Sequence, residues 1–431
     1  MMPRPLRLAY LLPTFPELSN TFILEQITGM LDLGHEVDLF TDTLKRFDTA
    51  PPEVVRYGLA RRLRHLPVPA DRWDRLRSAA RLLATPDGWH RASRDALNVV
   101  RYGREAMSLV PFHTAVSFVR AGSYDVLHCH FGQWGILGER LVRHGAIDAA
   151  LVTSFRGADL ARHVPANPER FQALFAHGDL HLPVSDEFRR RLMAVGVPSD
   201  RVVVHHDGID LTRFAFAPRP AAVLPARLLF VGRLSEKKGA VYLLEALALL
   251  RQQGHDASLE VIGDGPLAAD LRARCTRLGL DDRVRFAGAQ PQEAVARAMA
   301  QAHALVAPSV RAASGDEEGI PTVLKEAMAR GLPVVSTRHS GIPELVEHGV
   351  NGFLAEERDA AGLAAYLIEL LGAPERWDAL ARAGRAKVEA EFDTTHLNLD
   401  LVTRYEEAIE RRALRSVRAP VHPETRSRTR A

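Results

Sequence analysis

Residues 228–262 read LLFVGRLSEKKGAVYLLEALALLRQQGHDASLEVI, and this stretch decides the fold. Leu228–Val231 is a short apolar run stopped by Gly232, the pattern of a buried strand. Val241–Gln253 places its apolar residues at helical spacing and ends at Gly254-His255. Ser258–Ile262 reads as the next strand. Strand, helix, strand is a β-α-β unit, the opening of a parallel sheet whose strands are buried on both faces.

The same phrasing opens the chain. Leu6–Leu12 reads as strand and Ser19–Leu33 as an amphipathic helix, capped by Ser19 or Asn20 and stopped by Gly34. Val37–Thr41 reads as the next strand. Two such openings, about 220 residues apart, predict an α/β chain of two doubly wound, Rossmann-like domains. Further strands are expected at 125–129, 151–154, 180–184 and 202–205, then at 284–286, 304–307 and 334–336. Between 45 and 120 the alternation breaks into Arg- and Leu-rich segments punctuated by proline, which read as a helical insertion. Proline density from Ala215 to Pro225 marks a boundary. The predicted organisation is an N-terminal domain over 1–217 and a C-terminal domain over 226–393. A last helix over 394–412 is expected to return to the first domain, and 413–431 is expected to be a disordered basic tail.

Composition narrows the functional classes. The chain has 431 residues, 46% hydrophobic and 25% charged, which is globular with ample core. Its two cysteines, Cys129 and Cys275, have no metal-type spacing, which favours a reducing compartment. The apolar stretch Leu8–Leu12 is too short for a signal peptide, and no run reaches the ~18 apolar residues of a membrane span. A net charge of +3 gives no sign of a nucleic-acid partner. The expected location is cytoplasmic.

Three features of the second half point to a bound anion. The first is Gly232-Arg233-Leu234-Ser235-Glu236-Lys237-Lys238-Gly239, cations at the mouth of a strand where open α/β sheets bind ligands. Arg233 can grip phosphate oxygens with its fork and Lys238 can act as a point charge. The alternative is an ordinary solvated basic loop. The second is Glu318-Gly319-Ile320-Pro321-Thr322-Val323-Leu324-Lys325-Glu326. Pro321 and Gly331 bracket a helix whose first N–H groups, at Gly319, Ile320 and Thr322, form an anion site. Glu326 lies about 8 Å along the axis from Pro321. One carboxylate can then reach a sugar and the other a ribose, with a diphosphate between. The third is Gly263-Asp264-Gly265-Pro266-Leu267-Ala268, which matches a dinucleotide fingerprint. No acidic residue closes the following strand, where Ala287-Gly288-Ala289-Gln290 stands instead, so a nicotinamide site is disfavoured.

In combination these segments resemble glycosyltransferase family 4, a retaining family of the two-Rossmann-domain GT-B type. The resemblance runs through the Glu318-to-Glu326 segment, Ala307-Pro308-Ser309, Ser340-Gly341-Ile342-Pro343-Glu344-Leu345 and Gly349-Val350-Asn351-Gly352-Phe353-Leu354. It implies two domains facing across a cleft and a nucleotide-sugar donor. Arg233 and Lys238 would hold the diphosphate, Glu326 the ribose and Glu318 the donor sugar. Gly319, Ile320, Pro321, Asp264 and Gly265 would border the donor. No cofactor and no metal are expected, because cations and a helix N-terminus supply the charge.

The first half is similar to a narrower group, the exopolysaccharide enzymes of colanic acid and amylovoran type. That similarity lies in Pro13–Ile23, Asp125–Gly132 and Thr153–Leu160. Acceptor contacts are expected from Asn20, Thr21, His130, Arg156 and Asp159. Many relatives have His where this chain has Arg156, and a guanidinium cannot be a general base near neutral pH. His205 and His206 are adjacent on a strand and point to opposite faces, which disfavours a shared metal. The expected acceptor is a glycan or polyprenyl-diphosphate-linked oligosaccharide. The arginines at 61, 62, 64, 72, 75, 77 and 81 suit an anionic membrane surface, or equally a solvated helical face. Other readings of the same sequence are a GT-B-fold sugar-nucleotide epimerase or phosphorylase, and a non-catalytic nucleotide-sugar-binding protein.

Overall fold

A computed structural model describes residues 4–16, 21–46, 50–66, 68–157, 159–217 and 225–418. The N-terminal lobe is built on β1 (Arg7–Phe15), β2 (Glu36–Leu44), β3 (Leu63–His65), β4 (Val126–His130), β5 (Ala150–Phe155) and β6 (Leu180–Pro183). The C-terminal lobe is built on β7 (Ala226–Val231), β8 (Ala257–Ile262), β9 (Val284–Gly288), β10 (Ala304–Ala307), β11 (Val334–Thr337) and β12 (Phe353–Ala355). The sheet orders are β3-β2-β1-β4-β5-β6 and β12-β11-β10-β7-β8-β9, and every pairing is parallel. Counted within its own lobe, each sheet has the order 3-2-1-4-5-6. Each therefore reverses direction beside its first strand, and that reversal opens a crevice at the carboxyl ends of β1 and β7.

The central strands β1 and β7 are largely apolar because both faces are covered. In β1, Ala9 and Leu11 join the core cluster on one side, while Leu8, Tyr10 and Leu12 join the cluster on the other. β7 does the same, with Leu228 and Phe230 on one face and Leu229 on the other. Successive side chains of a strand point oppositely, so an unbroken apolar run is what a two-sided sheet requires. Each buried Leu or Phe among them contributes about 1.5–3 kcal/mol on burial.

The lobes are joined by two chain crossings that run side by side. Ile209 N–H donates to the Phe392 carbonyl (2.9 Å) and Thr394 N–H donates to the Ile209 carbonyl (3.1 Å). Gly208 permits this approach, since a Cβ there would sit 2.8 Å from Thr394 Oγ1. After the return crossing, the helix Thr394–Arg418 lies on the N-terminal lobe. Its Leu401, Val402, Tyr405 and Ala408 share a core with Leu8 and Tyr10.

Several boundaries differ from the sequence reading. Ile209 and Phe214 are buried in the C-terminal core, so the division falls at the crossing near 208 and not at 217. The proline-rich segment 218–224 lies outside the described residues, as do Ser19 and Asn20. The insertion contains an edge strand, β3, whose three residues carry too little apolar patterning to be read. Residues 202–205 form no strand. Val203 and His205 donate to carbonyls of β6, but only Val202 forms a bridge, with His181. The last helix continues past 412 to Arg418 because no Gly or Pro interrupts it. Arg412 pairs with Asp148 (2.6 Å) and Arg415 with Asp179, so the start of the expected tail is pinned to the N-terminal lobe. Residues 419–431 lie outside the described residues.

Candidate active site

The turn after β7 is shaped by close backbone packing. Gly239 has φ +65°, and a Cβ there would lie 1.8 Å from the Pro308 carbonyl oxygen. Only a residue without a side chain brings the short turn Glu236–Lys238 so near the end of β10. The stem of Lys238 crosses Gly232 at 3.6 Å from where a Cβ would stand. Both lysines are thereby turned toward the segment that precedes the helix Thr322–Ala329.

There they meet one carboxylate. Lys238 Nζ lies 3.0 Å from Glu318 Oε2, and Lys237 Nζ lies 3.2 Å from Glu318 Oε1 and 3.3 Å from Asp316 Oδ2. Burial alone would raise the Glu318 pKa. The ammonium groups of Lys238 and Lys237 outweigh it and hold the carboxyl at about 2. Burial works against the Lys237 charge too, and Glu318 with Asp316 overcomes it and raises its pKa. Glu318 is thus a fixed anion at neutral pH.

Its backbone is braced as well. Glu318 N–H donates to His339 Nε2 (3.1 Å), and His339 Nδ1 faces Glu357 Oε1 at 2.5 Å. Nε2 accepts, so the ring proton is on Nδ1 and is donated to Glu357. Glu357 in turn accepts from Arg311 N–H (2.9 Å).

The other donor-side residues surround this pair. Arg233 is exposed on the same turn and has no ion pair among the described residues. Asp264 and Gly265 are laid on that turn: the Asp264 carbonyl accepts from Leu234 N–H (2.9 Å), and a Cβ on Gly265 would meet the Leu234 carbonyl at 2.6 Å. The fingerprint-like segment therefore packs against the cationic turn, and its helix begins only at Ala268. Pro321 takes the N-cap position of Thr322–Ala329, and no side chain caps that helix. Gly319 abuts Val184 of the other lobe, and Ile320 packs against Gly341. Glu326 is half-buried on the helix. Burial raises its pKa, against the pull of Lys325, Arg213 and Arg330.

The acceptor-side residues form a second cluster at the ends of β4 and β5. Arg156 makes a two-pronged pair with Asp207, at 2.8 and 3.1 Å. Its third nitrogen lies 3.3 Å from His130 Nδ1, and its guanidinium stacks 4.3 Å from the Phe22 ring centroid. Asp159 accepts from the N–H groups of Gly132 and Arg156, both at 3.0 Å, and burial lifts its pKa to about 7. The charge of Arg156 is thus directed to Asp207, and both oxygens of Asp159 serve the backbone. His130 stacks on His128 at 4.3 Å, and burial holds its pKa well below the ordinary value. Its Nε2 is buried without a hydrogen-bond partner among the described residues. Thr21 opens the helix Thr21–Asp32, and Asn20 lies outside the described residues.

The two clusters meet across the lobes. A Cβ on Gly157 would stand 2.4 Å from the Glu317 carbonyl, and Arg191 pairs with the Glu317 side chain. Lys325, fully buried, donates to the Asp207 carbonyl and sits 5.3 Å over the Phe392 ring. Burial lowers its pKa to about 8, although Asp207, Glu25 and Glu326 oppose the shift. The structure therefore brings Lys238 and Glu318 into contact, carries Arg233 on the same turn and keeps Glu326 on the adjoining helix. Sequence reasoning gave no role to Lys237, Lys325 or His339. The signal for the two lysines was their scarcity, since the chain has five lysines among 56 basic residues and three of the five stand in these motifs. Among the described residues, no group of three or more His, Cys, Asp or Glu side chains is arranged to hold a metal ion.

Comparison with known proteins covers both lobes. Residues 216–387 match the profile of glycosyl transferases group 1, and residues 19–208 match that of a glycosyl transferase 4-like domain. The chain is 36% identical over 406 residues to the putative colanic acid biosynthesis glycosyltransferase WcaL of Salmonella typhimurium, covering 92% of this chain and 99% of that one. It is also 36% identical over 399 residues to the amylovoran biosynthesis glycosyltransferase AmsK of Erwinia amylovora, covering 90% and 96%. In fold it is similar to Anabaena Alr3699/HepE, solved with UDP and glucose, with a TM-score of 0.68 at 17% identity over 93% of this chain and 99% of that one. With both lobes matched and full-length relatives above a third identical, the chain belongs to glycosyltransferase family 4 and is a glycosyltransferase of GT-B fold.

Proposed function

We propose that this enzyme moves a hexose from a UDP-sugar, or alternatively a GDP-sugar, to a glycan or polyprenyl-diphosphate-linked oligosaccharide in surface polysaccharide biosynthesis. The transfer retains anomeric configuration, needs no metal ion and takes place at the cytoplasmic face of the membrane. One observation carries the reading: Lys238 and Lys237 converge on Glu318 beside an uncapped helix start, at the mouth of β7. The colanic acid and amylovoran relatives support the polysaccharide setting.

In this reading the sugar C1–O bond to the diphosphate breaks as the acceptor oxygen bonds to C1 on the same face. The acceptor proton leaves with the departing phosphate oxygen. Negative charge grows on the diphosphate, and Arg233, Lys238 and the N–H groups at the helix start stabilise it more in the transition state than before. Glu318, held ionised, accepts hydrogen bonds from sugar hydroxyls and donates no proton at neutral pH. Glu326 accepts from the ribose.

The test is nucleotide release from UDP-, GDP- and ADP-hexoses, with and without a glycan acceptor and with EDTA. Acceptor-dependent release of UDP or GDP, unchanged by EDTA, is expected. Product formed without any acceptor would instead indicate an epimerase. Tight donor binding with no release across an acceptor panel would leave only a binding protein.

A further inference from the structure

The helical insertion carries an uneven surface. Residues 52–109 contain twelve arginines, no lysine and six acidic residues, whereas the whole chain has 56 basic against 53 acidic residues. The same 58 residues of 431 hold seven of the thirteen large hydrophobic side chains that stand exposed among the described residues. Trp73 is 70% exposed, Trp89 62% and Met107 69%.

Trp73, Leu76, Trp89 and Met107 belong to one region of the lobe. On the helix Arg72–Leu83, Ala79 is buried, and Leu82 and Leu83 pack on the core that contains Phe112 and Phe118. The opposite stripe, at helical spacing, is Trp73, Leu76, Ala80 and Ala84, all exposed, with Arg72, Arg77 and Arg81 along its borders. Arg75 donates to the Ser108 carbonyl (2.8 Å), which brings Met107 alongside the first turns of this helix. At the other end Gly88 lies against the Leu82 carbonyl, and Trp89 follows, with the Arg94 guanidinium 5.7 Å from its ring centroid. An outer helical face of this kind is normally polar. Here it has the composition of an interfacial helix, with aromatic and aliphatic residues among arginines.

We propose that this face docks on an anionic phospholipid bilayer. Trp73, Leu76 and Trp89 enter the boundary between headgroups and acyl chains. Arg72, Arg81 and Arg91 engage lipid phosphates, for which the guanidinium fork is better matched than an ammonium. Among the described residues no helix is long and apolar enough to cross a membrane, so this attachment is peripheral. The inference deepens the proposed membrane-face setting and rests on it.

The full chain is mixed with vesicles of phosphatidylcholine alone or containing phosphatidylglycerol, and read by co-sedimentation and tryptophan emission. The chain has four tryptophans; Trp377 is buried and Trp134 half-buried, so a blue shift reports Trp73 and Trp89. Expected are binding that requires phosphatidylglycerol and weakens with salt, a blue shift, and reduced acrylamide quenching. Arg72→Gln with Arg81→Gln and Arg91→Gln should weaken binding on the order of a hundredfold, at roughly fivefold per charge. Trp73→Ser with Trp89→Ser should remove the blue shift and weaken binding at every salt concentration. All five side chains are exposed, so thermal melting should be unchanged. Equal binding to both vesicle types, undiminished binding by the triple variant, or an unshifted emission overturns the proposal. Nucleotide release on a water-soluble acceptor is measured in parallel: its absence would fault the transferase reading and leave the vesicle result standing.

Discussion

The carboxylate of Glu344 accepts a hydrogen bond from the backbone N–H of Asp186 at 2.8 Å, so a residue of the C-terminal lobe caps a helix of the N-terminal one. Its other oxygen accepts from Glu187 N–H at 3.2 Å. The helix Asp186–Ala194 already has its own cap, Ser185, bonded to Phe188 N–H. Glu344 adds charge at the positive end of that helix. Gly341 lets Ser185 approach, since a Cβ there would be 2.7 Å from the Ser185 Cβ. The Ser340–Glu344 segment is therefore a clasp between lobes.

Removing the clasp should open the cleft without unfolding either lobe. A cap of this type is worth about 1 kcal/mol. Glu344→Ala is expected to raise the radius of gyration in small-angle scattering and to raise the donor KM several-fold, with little change in Tm. An unchanged scattering profile would show that the contact does not hold the lobes.

The two lysines should differ in their effect. Lys238 lies along Gly232 at the strand mouth, whereas Lys237 is shared between Glu318 and Asp316. Lys238→Ala should lower kcat/KM by on the order of 10²–10³, as for loss of one preorganised donor. Lys237→Ala should cost roughly tenfold. The double variant should fall short of the product of the two, because both act on one carboxylate. Equal losses in the single variants would refute the division of roles.

Glu318 should leave a mark on acid stability. Its folded pKa, about 2, lies below the ordinary 4.5. The stabilisation is therefore complete above about pH 4.5 and is lost as pH falls toward 2. Urea unfolding should show Glu318→Gln less stable than the parent at pH 7, by on the order of 2 kcal/mol, with the gap closing near pH 2. A gap independent of pH would mean that the carboxylate charge is not what the lysines hold.

Lys325 gives the opposite sign. Its folded pKa of about 8 lies below 10.5, so burial of the charge costs stability below pH 8, and that cost fades as pH rises toward 10.5. Lys325→Met should be more stable at pH 7 by about 1–2 kcal/mol, with the gain shrinking by pH 10. Activity should fall at least tenfold, because the Asp207 carbonyl loses its donor and Glu25 and Glu326 lose a neighbouring cation. A variant that is both more stable and fully active would show that this ammonium has no part in the site.

The fold was legible where apolar runs and stop signals agree. β7, the helix after it and β8 fall within two residues of their expected limits, because apolar residues at strand and helix spacing are punctuated there by Gly232 and Gly254. β3 was not legible, since a three-residue edge strand with exposed Arg64 and His65 carries no such signature. The two motifs that carry Lys238 and Glu318 were legible, one after β7 and one before the helix Thr322–Ala329, but the ion pair between them was not. The clasp at Glu344, the His339 brace and the pairing of Arg156 with Asp207 were not, because each joins segments that only the folded chain brings together. Arg156 illustrates the limit: its sequence marked a departure from many relatives, but not the carboxylate 51 positions away that takes up its charge.

Tyr10 and Tyr405 share a hydrogen bond of 2.7 Å across 395 positions, and Tyr405 also reaches His128 at 2.7 Å. This sets an order of assembly during synthesis. The sheet that leaves the ribosome first keeps part of one face uncovered until residues 401–408 emerge, whereas the core around β7 to β12 is completed by residues up to Phe392. The half of the molecule made first is thus the half completed last, and a nascent chain halted before Tyr405 presents a wet apolar surface to whatever chaperone meets it.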